Sequence, residues 1–96
     1  MKFEWDEEKN RINKEKHKIS FSTAKFVFSD RYAINFPDEN HSWNENRRIV
    51  IGKVRDVLFV SYTVRHGDTI RMISARRATK REEELYYVSN GIFRHE

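Results

Sequence analysis

The chain has 96 residues, of which 38% are hydrophobic and 35% are charged, and it contains no cysteine. A chain of this length forms one small domain, so we expect residues 1–96 to fold together. No run approaches the roughly 18 apolar residues of a membrane span, and the N-terminus lacks the apolar segment of a secretory signal. We therefore expect a cytoplasmic protein without a membrane partner, stabilised by aliphatic and aromatic packing rather than by disulfides.

The net charge of +4 is distributed unevenly along the chain. Residues 47–81 contain ten basic and two acidic residues, whereas residues 1–46 contain eight basic and nine acidic ones. Residues 82–96 contain one basic and four acidic residues. The positive excess therefore belongs to the central segment, which is the candidate for binding a polyanion.

The N-terminal third is predicted to be helical after a short extended segment at residues 3–5. Asp6 is a typical N-cap, and the acidic first turn and basic last turn behind it predict a helix through about Lys18. Ser20 is a second N-cap residue. The wide apolar stripe that follows it predicts another helix, which ends near Asp30.

From residue 32 the hydrophobic period changes from helical to two, which predicts four strands. They are expected at residues 32–36, 49–51, 57–65 and 69–76, separated by a polar loop at 38–46, a turn from Gly52 to Asp56 and a tight turn from His66 to Asp68. In the last strand, simple alternation places Ile70 and Met72 on one face and Ala75 on the other.

A capping box at Thr79 and Glu82 predicts a final helix that stops near Gly91. The expected fold class is α+β. It has two N-terminal helices, a four-stranded antiparallel meander sheet, to which a short N-terminal strand can be added, and a C-terminal helix.

The basic segment is rich in arginine, which favours phosphate recognition. Its members are Arg47, Arg48, Lys53, Arg55, Arg65, Arg71, Arg76, Arg77, Lys80 and Arg81. Guanidinium groups bind phosphate oxygens bidentately and stack on bases. Tyr62, Phe59 and Trp43 are interleaved with them as candidate stacking surfaces for unpaired bases. The alternatives are a solvated sheet face and a surface for an acidic protein partner.

Side chains suited to proton transfer accompany these arginines. RNA cleavage without a metal needs a base for the 2′-hydroxyl, an acid for the 5′-oxygen and cations on the phosphorane. The candidates for the base and the acid are His17, His41, His66, Glu45 and Tyr62. His41 also has the simpler interpretation of a loop residue, His17 that of a helix C-terminal cation, and His66 that of a solvated turn residue. The sequence has no HExxH, EF-hand or Gly-rich phosphate motif, so we expect no metal and no cofactor.

Four segments occur together with the order and near-family spacing of a known family. They are Phe3-Glu4-Trp5-Asp6 with Lys9 and Asn13, Lys16-His17 followed by Ile19-Ser20-Phe21 and Ala24, Glu45 with Arg47 ahead of Ile51-Gly52, and Tyr62-Thr63 and Arg65 leading to residues 70–78. With these segments the chain resembles the BrnT toxins of type II toxin–antitoxin systems, which belong to the RelE-like group, over about residues 3–87. The last segment is the most specific.

The resemblance implies a RelE-like fold, a ribonuclease that halts growth by degrading RNA, and a BrnA-like antitoxin with a ribbon-helix-helix domain as partner. The toxin would form a hetero-oligomer with this antitoxin and would reach operator DNA only through it. The implied site residues are Arg65 and Arg76 as phosphate or transition-state cations, Arg47, Arg71 and Arg77 as further RNA contacts, and Lys16, His17 and Glu45 near the site. Two positions depart from the family, because Lys18 replaces a usual Gly and Arg48 a usual aromatic or aliphatic residue.

Three hypotheses follow. In the first, the chain is an RNA endonuclease toxin in which Arg65 and Arg76 stabilise the phosphorane and His17 or Glu45 moves the protons. Lys16, Lys80 and Tyr62 then join the other arginines in binding RNA. In the second, the chain is a non-catalytic module that binds an antitoxin or nucleic acid and represses its operon. The third is an inactive, degenerate toxin.

Overall fold

The computed structural model describes residues 1–40 and 46–91. The strands in this part of the chain are β1 (Lys2–Glu4), β2 (Ile34–Pro37), β3 (Arg48–Val54), β4 (Asp56–Arg65) and β5 (Thr69–Arg77). The helices there are α1 (Glu7–His17), α2 (Phe21–Ala24), α3 (Lys80–Ser89) and a short 3₁₀ helix at Lys25–Ser29. The predicted α+β class is confirmed. None of these helices combines the length and the apolar character that crossing a membrane requires.

The described strands form one mixed sheet in the order β1-β5-β4-β3-β2. β1 pairs with β5 in parallel, and the other neighbouring strands pair antiparallel. The extended segment expected near Phe3 is therefore an edge strand. It covers only the first part of β5, because its pairing runs from Thr69 to Arg71. Beyond Arg71, β1 does not pair with the outer edge of β5.

A β-bulge in β5 changes which side chains share a face of the sheet. Ser61 of β4 pairs with Ser74, but Tyr62 pairs with Met72, so Ile73 has no partner on β4. An extra residue of this kind reverses the alternation of the bulged strand. Ala75 consequently joins Met72 in the core, and the simple alternation predicted for this strand is wrong beyond Ile73.

The two faces of the sheet are covered to different extents. On the first, which we call the covered face, residues of α2 and the 3₁₀ helix pack against the strands in the main core cluster. This cluster includes Ile19, Phe21, Ala24, Val27, Val50, Leu58, Val60, Tyr62, Met72 and Ala75. On the second face, Tyr86 of α3 packs against Ile49, Ile51 and Val57, and its hydroxyl donates a hydrogen bond to Asp30 Oδ2 at 2.6 Å. Helix α3 therefore packs mainly on the β3 side of this face, and its first turn reaches β5.

The helix boundaries follow the capping signals in the sequence. The Asp6 carboxylate accepts bonds from the backbone N–H groups of Glu8 and Lys9, and the Thr79–Glu82 capping box is present at α3. The C-cap of helix α1 is Lys18, which adopts the left-handed conformation at φ 63° although it is not glycine. The three N-cap predictions, at Asp6, Ser20 and Thr79, are confirmed.

Three predicted boundaries are wrong. The second helix changes to 3₁₀ geometry after Ala24, and the first meander strand begins at Ile34 rather than at residue 32. Gly52 lies inside β3 and not in a turn. A Cβ at Gly52 would lie 3.1 Å from the Val27 carbonyl oxygen and 3.2 Å from Ala33 Cβ, so glycine allows the 3₁₀ helix to pack directly on the strand.

Asn13 attaches α1 to the edge of β5 that β1 leaves unpaired. Its Nδ2 donates to the carbonyl oxygens of Ala75 at 2.8 Å and Ile19 at 2.9 Å, and its Oδ1 accepts from the Ala75 N–H at 3.1 Å. The side chain is 6% exposed. An amide can donate and accept at once, so Asn13 replaces a neighbouring strand at this position.

We expect Asn13→Ala to lower the free energy of unfolding by about 3 kcal/mol, because it leaves buried backbone groups of β5 without partners. The measurement is urea unfolding followed by circular dichroism. Lys14→Ala, at the exposed neighbouring position of α1, is the matched control and should change stability by less than about 0.5 kcal/mol. An Asn13→Ala protein as stable as this control would contradict the role given to the amide.

Candidate nucleic-acid interface

The sheet face opposite the covered face carries four of the predicted RNA-binding arginines. In the β4–β5 pair, Arg65 opposes Thr69, Arg71 opposes Thr63 and Arg76 opposes Phe59. Directly opposed residues lie on the same face, and residues 59, 63 and 65 share a face of β4. Arg48 opposes Tyr62, so Arg47 lies one residue earlier, on the same side as Thr63. We call this side of the sheet the arginine face. It presents Arg47, Arg65, Arg71, Ser74 and Arg76 around the buried Ser61 and Thr63.

At one end of the arginine face, Glu4 joins Arg71 and Arg65. Glu4 lies beside Arg71 because β1 and β5 pair in parallel at these residues. Its Oε2 lies 3.0 Å from Arg71 Nη1 and 3.9 Å from Arg65 Nε. The side chains of Arg71 and Arg65 are 32% and 54% exposed, so both guanidinium groups remain accessible to a phosphate.

At the other end, Arg76 is held by a carboxylate and an aromatic ring. Its Nη1 and Nη2 donate to the two carboxylate oxygens of Glu82 at 2.8 and 3.0 Å, and its Cζ lies 4.0 Å from the centre of the Phe59 ring. Burial alone would raise the pKa of Glu82, but the hydrogen bonds from Arg76 and the Thr79 backbone lower it overall. Glu82 is therefore a carboxylate at neutral pH, and it orients the Arg76 guanidinium.

His17 lies at the end of α1, next to the charge of Arg76. Burial lowers the pKa of His17 from its usual value, and the positive charges of Lys16 and Arg76 lower it further. His17, Lys16 and Ser74 line a cleft of about 210 Å³ between α1 and the bulged part of β5. The structure thus places an imidazole with a lowered pKa and a lysine in one cleft, within electrostatic range of an oriented arginine. A neutral imidazole and a nearby cation are groups that general base catalysis on a phosphate ester can use.

Arg65 and Arg76 share a face, but the structure does not bring them together. Their positions on the sheet are those of Arg65 and Phe59 in β4, which are six residues apart. At about 3.3 Å per residue this separation is about 20 Å. Each guanidinium is also held by a different carboxylate. One phosphate cannot contact both arginines in this arrangement.

Other predicted RNA contacts lie elsewhere. Arg77 opposes Leu58, which places it on the covered face, and its Nε lies 3.3 Å from Asp56 Oδ2. Arg77 therefore does not belong to the arginine face. Lys80 is exposed at the start of α3, close in sequence to Arg76. Glu45, like His41 and Trp43, lies outside the described residues.

The stacking role predicted for Tyr62 needs correction. The residue is 3% exposed, and its ring meets Phe28 edge-on in the core at 4.9 Å between ring centres. Its hydroxyl accepts a hydrogen bond from Asn35 Nδ2, and Asn35 Oδ1 accepts one from Arg48 Nε at 2.8 Å. A ring buried in this way has no free face for a base.

The sequence does not indicate that the carboxylates of Glu4 and Glu82 belong to the site. In the sequence, Glu4 stands out only as part of the segment that resembles the family, and Glu82 only as a capping residue. Their pairing with arginines depends on strand register, which the sequence does not show. Among the described residues, no three His, Asp or Glu side chains are grouped so that they would hold a metal ion.

A cationic sheet face on a small α+β domain is typical of proteins that bind nucleic acids. Comparison with known proteins gives the particular family. A family model described as the ribonuclease toxin BrnT of type II toxin–antitoxin systems matches residues 5–82. The chain therefore belongs to the BrnT family of ribonuclease toxins.

A solved structure agrees with this assignment. The crystal structure of the Brucella abortus ribonuclease toxin BrnT matches with a TM-score of 0.66 and 27% identity. The match covers 83% of this chain and 99% of the Brucella protein. No curated protein matches the sequence. The predicted toxin and ribonuclease functions are thus confirmed.

Proposed function

We propose that this toxin cleaves RNA internally and without a metal ion, using the 2′-hydroxyl of the substrate as nucleophile. The observation that carries the proposal is the position of His17, with its lowered pKa, in a cleft within electrostatic range of Arg76. A neutral imidazole accepts a proton, and a guanidinium stabilises the charge that develops on the attacked phosphate. The family is one of ribonuclease toxins, and the proposal concerns the mechanism of cleavage.

In this mechanism His17 takes the proton of the 2′-hydroxyl while the 2′-oxygen forms a bond to the adjacent phosphorus. The bond from phosphorus to the 5′-oxygen then breaks, and the leaving oxygen receives a proton. Glu45, from outside the described residues, is our candidate for that proton donor. The products are a 2′,3′-cyclic phosphate and a 5′-hydroxyl.

Arg76 is the transition-state cation in this proposal. It uses three of its five N–H donors on Glu82 and on the Arg77 carbonyl oxygen. The Nε–H and one Nη2 N–H make no hydrogen bond within residues 1–40 and 46–91, and they serve the phosphorane. Glu82 is then a positioning residue, because it holds the fork without touching the substrate.

The RNA strand extends from this cleft across the arginine face. Arg71 and Arg65 bind a phosphate several nucleotides from the cut, since about 20 Å separates Arg65 from Arg76 along the sheet. Arg47 borders the same path. Lys16 and Lys80 add positive charge beside the cleft, and the spacing of these cations supports an extended single strand over a compact duplex.

We further propose the biological context that the family suggests. The fold is RelE-like, the chain is a single domain, and the toxin acts in the cytoplasm. A BrnA-like antitoxin with a ribbon-helix-helix domain neutralises it in a hetero-oligomer. Operator DNA is bound only through that antitoxin.

The 2′-hydroxyl mechanism predicts sensitivity to a single oxygen atom of the substrate. In EDTA, an RNA with one 2′-deoxy nucleotide on the 5′ side of the mapped cut should lose cleavage at that bond and keep it elsewhere. Mass spectrometry should find cyclic phosphate ends on the unmodified RNA. Undiminished cutting at the deoxy position would rule out the nucleophile, and loss of all cleavage in EDTA would rule out metal independence.

The role of His17 predicts a particular pH dependence. Because the pKa of His17 is lowered, its neutral form persists below pH 6.5, and kcat/KM should rise with pH on a limb centred below the usual value of about 6.5. Lys16→Ala removes a nearby positive charge and should move this limb to higher pH, whereas Lys14→Ala should leave it in place.

His17→Ala should remove the limb and lower the rate by about 10² to 10⁴. Thermal melting of the variant checks that the fold is retained. A His17→Ala enzyme with an unchanged acid limb would show that another group is the base.

A further inference from the structure

A second basic site lies on the covered face, away from the arginine face. It is a groove of about 550 Å³ between the α1–α2 junction and the β3–β4 hairpin. Its lining residues on the helical side are Lys14, Lys18, Ile19, Ser20 and Thr23, and on the sheet side Val54, Arg55, Asp56, Leu58 and Arg77. We call it the hairpin groove.

The hairpin groove combines a cationic rim with an aliphatic floor. Four cations, Lys14, Lys18, Arg55 and Arg77, and one carboxylate, Asp56, line it. Only Arg77 is paired, with Asp56, and both of these side chains are more than half exposed. Within residues 1–40 and 46–91, the other three cations form no ion pair. Such a surface attracts a partner that carries negative charge.

Two of these cations occupy backbone positions that favour glycine. Lys18 has φ 63° and Arg55 has φ 66°. A side chain in this left-handed region costs of order 1 kcal/mol relative to glycine. The chain therefore accepts backbone strain at two places that both add a positive charge to the hairpin groove. Strain that recurs at one site in this way indicates a function for the side chains.

We propose that the hairpin groove binds an acidic segment of the antitoxin, with an aliphatic side chain on the floor and carboxylates against the rim. The proposal rests on the membership of this chain in a type II family, in which a toxin has an antitoxin partner. The floor consists of Ile19, Val54 and Leu58, which suit an aliphatic side chain. Among the described residues, the lining has no aromatic ring on which a base would stack, so a peptide fits the groove better than RNA does.

The hairpin groove and the arginine face lie on opposite faces of the sheet. Arg76 and Arg77 are adjacent in β5, yet Arg76 lies on the arginine face and Arg77 in the hairpin groove. The antitoxin segment in the groove therefore does not compete with RNA for the same side chains.

The test replaces the two strained cations with the residue that their backbone favours. Lys18→Gly combined with Arg55→Gly removes two charges and relieves the left-handed strain, so the variant should fold at least as stably as the natural chain. The probe is the cognate antitoxin, titrated calorimetrically at several salt concentrations. We expect affinity to fall about tenfold or more and its salt dependence to weaken.

His66→Gly and Arg31→Ala are the matched controls. His66 also has a positive φ, at 56°, but it lies outside the groove, and Arg31 is an exposed cation outside the groove. Neither substitution should change antitoxin affinity. Asp56→Asn removes the one acid of the lining and should strengthen binding.

The remaining outcomes overturn the proposal in distinguishable ways. Unchanged antitoxin affinity in the Lys18→Gly, Arg55→Gly protein shows that the groove is not the docking site. Unchanged antitoxin affinity with weaker RNA binding shows that the groove is an RNA site. RNA cleavage by the natural chain is measured in parallel. If it cleaves RNA but binds no antitoxin, the proposal and the antitoxin assignment both fail, while the ribonuclease mechanism stands.

Discussion

The β-bulge at Ile73 determines which side chains of β5 share a face, and the site depends on that arrangement. With regular alternation, Arg76 would lie beside Met72 on the covered face, and Ala75 would lie on the arginine face. The extra residue exchanges them, so Arg76 joins Arg71 on the arginine face. Directly beyond the bulge, Asn13 bonds both backbone groups of Ala75. The same short stretch of β5 therefore orients the arginine and fixes α1, whose last residue is the proposed base.

Each end of the arginine face contains a carboxylate, and the two have different consequences. Glu82 bonds Arg76 with both oxygens and stays ionised, so it fixes the direction of the guanidinium. Glu4 makes one short contact with Arg71 and a longer one with Arg65. A phosphate can replace these looser contacts, because pairs this exposed contribute little to stability. One end of the face thus holds its arginine in a fixed direction, and the other leaves its arginines available to a ligand.

The sequence predicts the features that depend on local spacing. The cap at Asp6, the capping box at Thr79 and the α+β class follow from residues only a few positions apart. The site depends on long-range register. Tyr62 shares a face of β4 with Leu58 and Val60, but the 3₁₀ helix that packs on this face is positioned by the close approach of Val27 to Gly52, which the sequence does not show. The bulge has no local signal, because Ile73 suits regular and bulged strands equally.

In our proposal, RNA binds on the arginine face and reacts in the cleft that His17 lines, near Arg76. The proposal is tested most directly by nuclear magnetic resonance of the isotope-labelled protein, titrated with an RNA that a 2′-deoxy nucleotide at the cut site makes resistant to cleavage. We expect the largest shifts at Ser74 and at the guanidinium groups of Arg65, Arg71 and Arg76, and little change at Lys18 and Arg55. The largest shifts at Lys18 and Arg55, with an unperturbed Arg76, would contradict the proposal.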